Sequence, residues 1–248
     1  MIETECLLYI DESYYDSPLA TRFYTMTGAL IDFCQRGPYS EMMNKLESLA
    51  RTQPIDRHGY RGLHAIEMAY DPARHPDLES AQRIIAECDA VNLVVTVRTY
   101  SPPVRSSEDA RQICLTDLVT RFQADGPLAG ITLDTRDNLG TTAKSAKAEP
   151  GSKNHRDLHT LQDLKTAGEL DMDTKIYHAR DEAVRQLWIP DVVGYVVARS
   201  IARHDPSYME ILAGKVEICE AIRLPPSMRE NGRSSLQPSG LVHRGGGQ

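Results

Sequence analysis

The chain has 248 residues, 41% of them apolar, which is enough for the core of one large α/β domain or two small ones. A net charge of −7 excludes a surface that grips nucleic acid over its whole extent and leaves room only for a local basic patch. Five scattered cysteines with no CxxC pair read as reduced core residues, which excludes a disulfide frame or a zinc knuckle.

No stretch approaches the ~20 apolar residues of a membrane span. Glu3 and Glu5 stand where a secretory signal would carry Lys or Arg, so the expected location is cytoplasmic, with no membrane partner.

The first element is an apolar run, Cys6-Leu7-Leu8-Tyr9-Ile10, that leads into Asp11-Glu12-Ser13. It reads as a strand buried on both faces and ending at the acids, with a polar loop over 14–22. Residues 23–31 form a second strand, antiparallel to the first. Ser40 caps a helix to Ala50, and 52–62 is a loop. Residues 63–68 read as a short third strand, 78–88 as a helix and 91–99 as the clearest strand, stopped by Pro102 and Pro103. A helix over 107–122 and a strand over 130–134 follow.

Residues 135–154 lack apolar periodicity and hold the densest basic run of an acidic chain. A weak helix over 158–170, a strand over 174–178 and a valine-rich helix through Ile201 come next. A further helix is expected over 208–222. Residues 1–223 then form one domain and 224–248 a flexible tail rich in Pro, Gly and Ser. The order predicts an α/β fold, a mixed sheet flanked by helices with a C-terminal helical extension.

Three carboxylates stand where elements begin or end. Asp11 follows the first strand, and only one of Asp11 and Glu12 can face a given side of it. Asp134 ends the 130–134 strand, and Asp191 opens the valine-rich helix. Hard cations such as Mg²⁺ and Mn²⁺ take carboxylate oxygens that converge from different elements. Each acid also has a plain structural reading: a polar turn for Asp11, strand-end punctuation for Asp134, and a favourable helix-start charge for Asp191. His64 and Glu67 add a His-x-x-Glu that either supplies a ligand or proton shuttle, or holds His64 simply as a half-buried, hydrogen-bonded residue. Lys144, Lys147, Lys153 and Arg156 either hold a phosphate backbone or belong to a solvated linker. There is no phosphate-binding glycine loop and no GxSxG elbow.

The segments Tyr9-Ile10-Asp11-Glu12-Ser13, Phe23 to Ile31, Leu63-His64-Ala65, Leu133-Asp134-x-Arg136 and Leu187-Trp188-Ile189-Pro190-Asp191-Val192-Val193-Gly194-Tyr195 resemble, in order and spacing, the DUF3800 family. That family shows a YIDESG start, an FVLGG-like strand, an FHA segment, an IDER-like strand end and a closing LQLADLVAY. Here Tyr14 replaces the usual glycine, Trp188 a glutamine and Pro190 an alanine.

The resemblance implies a ribonuclease-H-like superfold and a metal-dependent nuclease that hydrolyses nucleic-acid phosphodiester bonds. Asp11, Asp134 and Asp191 would be the Mg²⁺ or Mn²⁺ ligands, with His64 and Glu67 beside them. The alternative is a catalytically inactive module of the same fold that binds nucleic acid or a protein partner.

Overall fold

The computed structural model describes residues 6–15, 22–55, 60–100, 106–135 and 152–233. β1 (Cys6–Tyr15) pairs antiparallel with β2 (Arg22–Asp32) over its whole length, from Cys6 opposite Asp32 to Tyr15 opposite Phe23. The strand therefore does not end at the acids. The ladder with β2 continues past Asp11, Glu12 and Ser13 to Tyr15, so the acids sit mid-strand.

β2 also pairs antiparallel with β3 (Val91–Tyr100). On the other side of β1, β4 (Gly130–Asp134) runs parallel to it, and β5 (Lys175–Ala179) parallel to β4. With β6 (Val216–Glu220) parallel to β3, the sheet is six-stranded and mixed, in the order β5-β4-β1-β2-β3-β6.

Helices cover both faces, giving three layers. On one face α1 (Arg36–Thr52), α2 (Ala65–Tyr70), α3 (His75–Ala86) and α6 (Trp188–Arg203) bury Met42, Leu46, Met68, Ile85, Val192 and Val196 against Tyr9, Ala29 and Val95. On the other, α4 (Ser107–Asp125) and α5 (Lys153–Thr166) bury Leu118, Phe122 and Leu161 against Leu8, Ile10 and Leu133. Gly28 lets α4 approach closely, since a Cβ there would lie 2.6 Å from the Phe122 ring.

Five expectations are corrected. The first helix begins at Arg36 rather than Ser40, because a 3-10 turn at Phe33–Gln35, capped by Asp32, feeds straight into it. Residues 65–70 are helical, not a strand: Ala65 and Met68 are buried three apart, the helical spacing. The basic stretch is already helical at Lys153, where Ser152 caps α5 through the His155 amide.

The expected 208–222 helix is a 3-10 turn at Pro206–Met209 followed by β6. Gly214, at φ +76°, stops any helix, and the free edge of β3 offers Val216–Glu220 a ladder. The helical extension is thus replaced by an edge strand. The expected tail in turn contains α7 (Pro226–Arg233), held to the body by the Arg229–Glu169 ion pair.

Candidate metal centre

Alternation along β1 sends its two acids to opposite faces. Leu8 and Ile10 belong to the α4 side and Tyr9 to the α6 side, so Asp11 faces α6 and Glu12 faces α4. Parallel pairing of β1 with β4 runs from Leu7–Gly130 to Ile10–Leu133. One step further places Asp134 beside Asp11 on the same face, one strand spacing (about 4.8 Å) away.

The third acid comes from α6. Trp188, Ile189 and Pro190 fill its first turn, where a missing N–H costs nothing. Asp191 follows, and its Oδ2 accepts the Ala65 amide of α2 at 3.0 Å. Gly194, one turn on, seats the helix on the sheet: a Cβ there would lie 2.7 Å from Thr27 Oγ1 and 3.3 Å from Ser13 Oγ. Thr27 lies directly opposite Asp11 and buries its hydroxyl with no hydrogen-bond partner among the described residues.

The three acids feel one another. Burial, then Asp191 and Asp134, push the Asp11 carboxyl well above the usual carboxylate range. Asp134 is pushed up to about 7 by burial and by Asp181 and Asp191, against the Thr135 amide. Asp191 is pushed up to about 6 by burial, against the Ala65 amide and His64. No Lys or Arg among the described residues pairs with any of the three.

Asp181 is a member the sequence reading missed. It lies just past β5, bonds His64 Nδ1 at 3.3 Å, and is itself pushed up by burial. The signal was the one used for Asp11 and Asp134, a carboxylate delivered past a strand. Of the expected pair, His64 stands at the start of α2 within this group, whereas Glu67 is half exposed and turns to Arg74 at 3.8 Å.

Glu12 has a different fate on the α4 side. Arg111 of α4, almost fully buried, meets its Oε2 at 2.9 Å, and the Tyr24 hydroxyl donates to the same oxygen. Arg111 also pairs with buried Asp157 of α5, which lies 3.5 Å from His178. Asp157 and Glu12 together keep the guanidinium protonated against the cost of burial.

The expected phosphate-holding residues are divided. Lys144 and Lys147 lie outside the described residues. Lys153 and Arg156 occupy the first turn of α5, where Arg156, half exposed, approaches Glu108 at 3.9 Å.

Among the described residues, no group of three or more His, Cys, Asp or Glu side chains is placed to hold a metal ion. The donor chemistry nevertheless fits a hard divalent cation: three half-buried carboxylates without a cation, and an orphaned buried hydroxyl oxygen at Thr27. Mg²⁺ is commonly held by one or two carboxylates plus waters and substrate oxygens, without an all-protein cage.

No protein-family model matches the chain, and no curated protein matches it. The solved PCNA:RNase HII complex from Archaeoglobus fulgidus aligns with a TM-score of 0.42 at 11% identity, covering 92% of this chain and 87% of that one. A superposition at that score carries no argument about activity. Among the described residues, no helix is long and apolar enough to cross a membrane.

Proposed function

We propose that the chain is a ribonuclease-H-like, Mg²⁺- or Mn²⁺-dependent nuclease hydrolysing nucleic-acid phosphodiester bonds at Asp11, Asp134 and Asp191. The observation that carries this reading is that three separate elements deliver three half-buried carboxylates, each raised by desolvation and none paired with a Lys or Arg among the described residues. The sheet supports it: an antiparallel β1-β2-β3 meander, with β4 added parallel to β1 so that two strands bring their acids to one level. The resemblance of the Asp11, Asp134 and Asp191 segments to DUF3800 motifs points the same way.

When bound, a divalent ion supplies a water-derived nucleophile near neutral pH and neutralises charge on the transferring phosphate. In this reading Asp11 and Asp134 bind that ion from adjacent strands. Asp191, oriented by the Ala65 amide, completes the acidic wall. His64 turns Nδ1 to Asp181, which leaves Nε2 to move a proton at the leaving oxygen or the attacking water. Arg156 and Lys153 provide cations for the phosphate backbone at the start of α5.

The test is hydrolysis of labelled DNA and RNA with Mn²⁺, run beside Asp11→Asn. Cleavage is expected for the parent protein and lost in the variant. Cleavage unchanged by the substitution would sink the assignment. A second reading, a catalytically silent module that binds nucleic acid or a protein, is favoured by the lack of a preformed three-residue metal group among the described residues. It predicts no cleavage and no shift of the melting temperature on Mn²⁺ addition, for parent and variant alike.

A further inference from the structure

Beyond Asp191, helix α6 carries a second pattern that the acids leave unused. Asp191, Tyr195, Arg199 and Arg203 recur every fourth residue. Side chains spaced this way form one ridge of a helix. At 1.5 Å per residue the ridge runs ~18 Å from the carboxylate site to the helix end. Its other residues, Val192, Val193, Val196 and Val197, are the buried face, so the ridge lies along the margin of the core.

Two neighbouring elements add aromatic rings to it. α2, whose first amide caps Asp191, ends in Tyr70, which is 79% exposed. The 3-10 turn at Pro206–Met209 folds back against α6 and presents Tyr208, 36% exposed. Burial raises the Tyr195 hydroxyl's pKa, Arg199 and Arg203 pull it down, and Tyr70 and Tyr208 push it up. Helix spacing places Arg199 one turn from Tyr195, and α2 and the 3-10 turn both pack against α6.

Arg74, Arg83, Arg98, Arg111, Arg121 and Arg185 each pair with an acid. Among the described residues, Arg199 and Arg203 pair with none. Like charges one helical turn apart repel by a few tenths of a kcal/mol. The helix dipole offsets that for Arg203 in the last turn, but its effect fades before Arg199. Half-exposed tyrosines interleaved with unpaired guanidiniums are what a single strand needs: stacking platforms for bases and cations for phosphates. A duplex hides its base faces and would use only the cations.

We propose that this ridge is the landing surface for a single strand of nucleic acid, with bases on Tyr70, Tyr195 and Tyr208 and phosphates on Arg199 and Arg203. It deepens the nuclease reading and rests on it for the direction of the strand, which enters the acidic site at Asp191. Tyr195 is the ridge residue one turn from Asp191, with Arg199 and Arg203 farther along the helix, so a base stacked on Tyr195 lies next to the acidic site.

The test measures binding apart from cleavage. Fluorescence anisotropy with labelled oligothymidylate, oligouridylate and a DNA duplex is followed in EDTA, between roughly 50 and 200 mM salt. The proteins are the parent, Tyr70→Ala, and an Arg199→Gln/Arg203→Gln double variant; circular dichroism confirms that each is folded. The single strands are expected to bind more tightly than the duplex. Tyr70→Ala is expected to weaken single-strand binding about 5–150-fold, the range for one lost stacking contact.

The double variant is expected to flatten the plot of log K against log salt by about 1.4, since each phosphate contact on a single strand contributes about 0.7. Equal or tighter binding of the duplex, or variants with the parent's affinity and salt slope, overturns the ridge. Cleavage by the parent that the ridge variants leave untouched also overturns it, while the nuclease reading stands. Ridge-dependent binding with no Mn²⁺-dependent cleavage does the reverse. The oligothymidylate and oligouridylate arms separate a DNA strand from an RNA strand.

Discussion

Replacing Asp134 by Asn should stabilise the metal-free protein, and more so as the pH rises. Asp134 has a folded pKa of about 7 against an ordinary value of 3.8, so it takes up protons on folding and the fold prefers its neutral form. The cost of keeping it ionised is absent below the unfolded value, grows as pH rises, and is complete above about 7. A shift of about three units corresponds to about 4 kcal/mol. At pH 5 only about a third of it applies, because the carboxyl is still mostly neutral when folded. Asn keeps the shape and the acceptor oxygen without the charge.

In EDTA, thermal melts at pH 8 should therefore place Asp134→Asn roughly 8–16 °C above the parent, using 2–4 °C per kcal/mol for a domain of this size. At pH 5 the gap should shrink to a few degrees. Mn²⁺ at pH 8 should raise the parent's melting temperature and leave the variant's nearly unchanged. The reasoning fails if the two proteins melt together at pH 8, or if their separation is the same at both pH values.

Two other substitutions probe the frame around the acids. Gly194→Ala puts a methyl within 2.7 Å of Thr27 Oγ1 on β2 and 3.3 Å of Ser13 Oγ on β1, so α6 or the Thr27 side chain must shift. The expected loss is about 1–3 kcal/mol in urea unfolding, with a disproportionate fall in Mn²⁺ affinity because Asp191 moves with the helix; an unchanged midpoint and affinity would refute the close seating. Arg111→Met leaves Glu12 and buried Asp157 without their guanidinium. About 3–5 kcal/mol of stability should be lost by the same measure, and a loss under 1 kcal/mol would show that the pair is not the clamp between α4, α5 and β1.

Much of this arrangement is legible in the residues. The apolar runs at 91–100 and 130–134 announce β3 and β4 because buried strands need continuous β-branched side chains. Alternation along β1 by itself separates Asp11 from Glu12. Other features depend on partners that a local reading does not contain. The first strand continues through three polar residues because its antiparallel ladder with β2 runs on past them to Tyr15. Val216–Glu220 becomes a strand because β3 has an open edge, which no pattern within 208–222 reveals. Asp181 escapes notice because the β5 strand before it is short and half exposed, so the carboxylate that follows looks like an ordinary turn.

The contrast between the two acids of β1 is the strongest physical argument for a cation on the α6 side. Both are drawn into the body of the fold by one strand, one residue apart. Glu12 receives a guanidinium, a tyrosine hydroxyl and, through Arg111, a tie to Asp157 on a second helix. The chain thus has the means to compensate a buried carboxylate and uses them fully on that side. Asp11 receives one backbone amide, from its own neighbour, and faces two further carboxylates instead. Burial without a counter-charge is a cost of several kcal/mol that packing alone gives no reason to bear. In the proposed reading a divalent ion would supply the missing charge and, with it, the chemistry of the site. On this account the instability of the empty site and its activity have one cause, so substitutions that relieve the first should abolish the second.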